Sequence, residues 1–95
     1  MGLSDQSEAE RTVVIVNQLG LHARASAKFV RCVEKFDAEV EVIRGNDSVI
    51  GASILDLLSL AAGPGTSLTI RATGRQVQDA VDAAAHLVET KFDEE

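Results

Sequence analysis

Apolar positions along this chain switch repeatedly between two periods. Residues 12–16, TVVIV, form an unbroken run of β-branched side chains and predict a buried strand. NQLGL, residues 17–21, interrupts it. Over residues 23–36 the period becomes helical. At about 100° per residue, Arg24, Lys28, Arg31 and Lys35 share one line, and Phe29, Val30, Val33 and Phe36 lie roughly opposite. Residues 38–44, AEVEVIR, alternate with period two, with Val40 and Val42 on one side and Glu39 and Glu41 on the other. Gly45, Asn46 and Asp47 form a turn signal before a short return strand over residues 48–51. SILDLLSL, residues 53–60, predicts a short helix, and SLTIRAT, residues 67–73, a fourth strand. Residues 75–89 place Val77, Ala80, Val81, Ala84 and Val88 on one helical stripe.

The order is βαββαβα, an α+β pattern. So few elements imply one sheet with three helices layered on one face, its other face wet, as the outward Glu39 and Glu41 suggest. Residues 1–10 predict a flexible acidic tail, residues 11–90 a single domain, and residues 91–95 an acidic end.

Composition narrows the class. The chain has 95 residues, enough for one modest core, and no run near the roughly 20 apolar residues that span a bilayer. The polar start, MGLSDQSEAE, has no signal-peptide character. One cysteine and two histidines supply neither a disulfide nor a zinc cluster, so no metal or cofactor is expected, and a reducing cytoplasm is the expected location. A net charge of −6, with three Phe and no Tyr or Trp, argues against nucleic-acid binding.

The candidate chemistry lies at Gly20-Leu21-His22-Ala23-Arg24. His22 falls where the first helix starts, so the unpaired N–H groups of Ala23, Arg24 and Ala25 can receive an anion. An imidazole nitrogen is a competent nucleophile, and the Arg24 guanidinium matches phosphate oxygens. These residues can therefore form a phosphoryl acceptor site, although a solvated capping histidine has the same sequence signature. Residues 22–36 carry a net +3, leaving −9 elsewhere. Lys28 and Arg31 are thus placed to dock acidic partners.

The octapeptide GLHARASA, residues 20–27, closely resembles the active-site signature of the HPr family, the histidine-containing phosphocarriers of the phosphoenolpyruvate-dependent phosphotransferase system. The resemblance extends over about residues 11–90 and implies an open-faced sandwich with strand order 1-4-2-3. It implies that His22 accepts phosphoryl on Nδ1 from phospho-Enzyme I, that Arg24 attends it, and that an EIIA-type domain receives it, in a monomer without catalysis of its own. The family usually has proline after the arginine; here Ala25 stands in its place and restores an N–H donor.

Ser53 matches the serine that an HPr kinase/phosphorylase modifies in some members, and equally heads a capping pattern with Asp56. Ile54, Leu55 and Leu58 are expected to form an apolar docking patch near the basic stripe, with one or two of them taken into the core instead. His86 reads as a solvated helix residue and Cys32 as a small packing residue. An alternative within the family is a nitrogen-branch module, NPr-like, that regulates through its phosphorylation state.

Overall fold

The computed structural model describes residues 7–94. The elements are β1 (Ser7–Val14), α1 (Ala23–Val33), β2 (Ala38–Arg44), β3 (Asp47–Ile50), α2 (Ile54–Ser59), β4 (Ser67–Gly74) and α3 (Val77–Glu89). The strands form one antiparallel sheet in the order β1-β4-β2-β3. Val13, Val40, Val42, Leu68, Ile70 and Ala72 turn from the sheet into a core completed by Phe29 and Val33 of α1, Leu57 of α2 and the Val77–Val88 stripe of α3.

β1 starts earlier than the apolar pattern suggests. Ser7 pairs with Gly74 and Glu10 with Arg71, so residues 7–10 belong to the sheet and not to a tail. Of the expected 1–10 tail, residues 1–6 lie outside the described residues. The polarity of this stretch reflects its position on an open sheet face, where Arg71 lies beside Glu8, Glu10 and Glu41. The TVVIV run is likewise not buried throughout. Val13 and Ile15 enter the core while Val14 and Val16 remain 44% and 45% exposed.

α1 ends at Val33, three residues short of the expected boundary at Phe36. The chain must turn there into β2, and residues 35 and 36 use shorter-range bonds, Lys35 N–H to the Cys32 carbonyl and Phe36 N–H to the Val33 carbonyl. The Asp37 carbonyl then receives the N–H groups of Arg75 and Gln76, while the Asp37 N–H donates to Gln76 Oε1 at 2.7 Å. Two N–H groups of the expected 75–89 helix are thereby used, and α3 begins at Val77. Ser53 and Leu60, the expected ends of α2, are its caps.

The acidic end is the largest departure. Lys91, Phe92 and Asp93 have φ of 61°, 55° and 60°, a left-handed turn of three non-glycine residues. Such residues cost roughly 1–2 kcal/mol each. Phe92 offsets this by full burial in the core, and the Lys28 ammonium donates to the Phe92 carbonyl at 2.7 Å. Phe92→Ala is expected to lower unfolding free energy by about 3–5 kcal/mol, read by denaturant titration. A loss below about 1 kcal/mol would mean that the turn is not part of the fold.

Candidate functional site

The site is built where β1 hands over to α1. Asn17 and Gly20 close a turn, with Gly20 N–H donating to the Asn17 carbonyl at 3.1 Å. Leu21 N–H then donates to the Ala62 carbonyl at 2.9 Å. This approach is possible only at glycine: φ at Gly20 is +67°, and a Cβ would sit 2.5 Å from the Ala62 oxygen. His22 follows as the N-cap of α1, in extended conformation, so its ring lies beside the first helical turn.

The Arg24 N–H donates to His22 Nδ1 at 3.2 Å. On the other side of the ring, Nε2 bonds the Glu94 carboxylate. These partners assign the tautomer: Nε2 carries the hydrogen, and Nδ1 presents its lone pair to a helix-start N–H. The imidazole side chain is 26% exposed, with Glu94 bonded at one edge. Arg24 is exposed and, among the described residues, forms no ion pair. Ala25 is fully buried, its methyl group in the core.

Glu94 was illegible as a site residue, since an acidic chain end carries no periodic signal. Asn17 carries only a strand-breaking signal in the sequence. It is buried, and its Nδ2 donates to the Gly20 carbonyl at 2.8 Å and to Glu94 Oε1 at 3.0 Å, which ties the turn to the carboxylate. The His22 bond holds the Glu94 carboxyl below the ordinary glutamate range, aided by the Asn17 N–H and the Lys28 charge and opposed by burial.

The remaining candidates separate. Lys28 and Arg31 line a groove of about 460 Å³ with Cys32, Lys35 and His86, between α1 and α3 and without any α2 residue. The Lys28 ammonium, expected to be free for docking, is committed to Phe92; Arg31 stays exposed. Ile54 and Leu55 are exposed, Leu55 at 78%; Leu58 is half-buried and Leu57 takes the core position. Ser53 caps α2, its Oγ accepting from Asp56 N–H at 3.2 Å. The Asp56 carboxylate does not close the expected box; it accepts from Ile50 N–H at 3.4 Å. His86 is exposed on α3, and burial raises the pKa of the Cys32 thiol against the pull of Lys35. A cleft of about 750 Å³ beside the β2–β3 hairpin contains none of the residues around His22.

Fold and site together define a small protein that presents one oriented histidine at a helix start on an open-faced sandwich. The chain belongs to the HPr phosphocarrier family: residues 9–90 match the family described as PTS HPr component phosphorylation site. It is 45% identical over 85 residues to the phosphocarrier protein HPr of Pseudomonas putida, covering 88% of this chain and 94% of that one. It is 42% identical over 88 residues to the phosphocarrier protein NPr of Shewanella violacea, covering 93% and 97%. The crystal structure of HPr-C-His from Thermoanaerobacter tengcongensis superposes with a TM-score of 0.87 at 37% identity, over 92% of this chain and 98% of that one. Members of this family are carriers rather than catalysts. Among the described residues, no helix is long and apolar enough to cross a membrane.

Because the Glu94 carboxyl is held low in the folded state, its contribution to stability is present above the unfolded glutamate value and lost as pH falls through the lower folded value. The stability difference between wild type and Glu94→Gln should therefore shrink as pH falls below the ordinary glutamate range. Denaturation at a series of pH values checks this; a difference that does not change with pH would contradict it.

Proposed function

We propose that this protein is a phosphocarrier of the phosphoenolpyruvate-dependent phosphotransferase system, accepting phosphoryl on His22 Nδ1 from phospho-Enzyme I and passing it to an EIIA-type domain. The observation that carries this reading is the state of Nδ1, a lone pair at the N-terminus of α1 with the Arg24 N–H beside it. A phosphoryl group there would lie against the N–H groups of the first turn, Ala23 to Ala25, and within reach of the exposed Arg24 guanidinium. Phosphoryl transfer asks mainly for positioning and charge stabilisation, which such a site supplies. Forming the Nδ1–P bond breaks the bond from phosphorus to the donor, whose atom keeps the electron pair.

Partners would dock over α1 and α2. Exposed Ile54 and Leu55 supply apolar area and Arg31 supplies charge. Ser53 has less support as a second phosphorylation site, since capping α2 accounts for its conformation. The nitrogen-branch module is not favoured over this reading: identity is 45% to the Pseudomonas putida HPr and 42% to the Shewanella violacea NPr.

With phosphoenolpyruvate and Enzyme I, the protein should gain one acid-labile, base-stable phosphohistidine at residue 22. His22→Ala should gain none, and Arg24→Ala should react about tenfold more slowly, as loss of a charge-assisted contact predicts. A wild-type protein left unmodified would overturn the reading. Arg31→Glu should slow transfer at low salt and much less at high salt, measured by stopped-flow with purified Enzyme I. Equal rates at low salt would remove Arg31 from the docking surface.

A further inference from the structure

The Glu94 contact is unusually well supported for a residue near a chain end. Four anchors converge on it. Phe92 is fully buried, Lys28 Nζ holds the Phe92 carbonyl, Asn17 Nδ2 holds Glu94 Oε1, and His22 Nε2 holds Glu94 Oε2. Asn17 is itself buried, and both groups its Nδ2 meets are oxygens, which fixes its orientation. The intervening turn keeps three residues at positive φ, a conformation that persists only where the surroundings over-determine it.

Two roles are open to a carboxylate placed against an active imidazole. A plug would occupy Nδ1. Glu94 instead meets Nε2, on the far side of the ring, and leaves Nδ1 facing the Arg24 N–H. That Arg24 bond already selects the tautomer, so the carboxylate must contribute something else, and the candidate is charge. When Nδ1 gives its lone pair to phosphorus, the Nε2 hydrogen stays in place and the ring becomes a phosphorylated imidazolium. The new positive charge lies directly against the Glu94 carboxylate. Carboxylate–imidazole pairs in acyl-transfer sites work on the same electrostatics.

We infer that Glu94 is a positioning residue that orients His22 through Nε2 and supplies the counter-charge for its phosphorylated ring, biasing the phosphoryl equilibrium toward His22. The inference rests on the phosphocarrier reading. It also gives the left-handed turn a purpose: Phe92 anchors the segment so that Glu94 stands at a fixed distance from the ring.

The test is an equilibrium measurement. Wild type, Glu94→Gln and Glu94→Ala are each incubated with Enzyme I at a fixed ratio of phosphoenolpyruvate to pyruvate. The phosphorylated fraction is read by 31P NMR, and the ring tautomer by 15N shifts. Glu94→Gln keeps the shape and an accepting oxygen but removes the charge. Its equilibrium constant for His22 phosphorylation should fall about fivefold, the difference between a charge-assisted and a neutral hydrogen bond, with the Nε2–H tautomer unchanged. Glu94→Ala should fall at least as far. An equilibrium constant equal to wild type in both variants, with the wild type itself phosphorylated, would overturn the inference while leaving the carrier reading intact. A wild type that takes up no phosphoryl would overturn both.

Discussion

The close contact between Gly20 and the Ala62–Gly63 backbone governs the geometry of everything around the histidine. With no Cβ at residue 20, the chain can approach the Ala62 carbonyl closely enough for Leu21 N–H to bond it. That bond ties the start of α1 to the loop that leads into β4. His22 is the next residue, so its ring inherits the position of this seam. The same turn brings the Asn17 amide to the Gly20 carbonyl and, through its other N–H, to Glu94. A substitution at Gly20 would disturb the turn, the helix start and the carboxylate contact together.

A carrier has to hand its cargo from one protein surface to another, and the architecture suits that demand. Three helices cover one face of the sheet, and the His22 ring sits at the start of α1. The ring is held on both nitrogens, by the Arg24 N–H of its own helix start on one side and by the distant Glu94 carboxylate on the other. Helix-start donors and the exposed Arg24 guanidinium lie close to that ring. Positive charge is concentrated along α1 of an otherwise acidic chain.

The two ends of the folded unit show how misleading polarity can be. Ser7 to Glu10 are polar because one face of the sheet meets water, and each still pairs with β4. Lys91 to Glu94 are polar apart from Phe92, yet that one side chain reaches the core and brings the segment to the site. In both places backbone pairing or a single buried anchor outweighs local composition, because neither contribution appears in a hydropathy pattern.

Much of the architecture follows from pattern alone. The βαββαβα order, the buried stripe of α3, the amphipathic α1 and the wet sheet face are local consequences of side-chain periodicity. The histidine at a helix start and Arg24 two residues on were legible for the same reason, since capping and dipole effects act within a single turn. The tertiary structure decided what depends on residues far apart in sequence. It set where α1 and α3 stop and start, through the Asp37–Gln76 clasp. It drew Lys28 away from solvent and chose Leu57 over Leu58 for the core. It also placed Glu94, 72 residues from His22, against the ring. No period encodes such a contact, because it is made by folding the whole chain around Phe92 and closing the turn at Gly20.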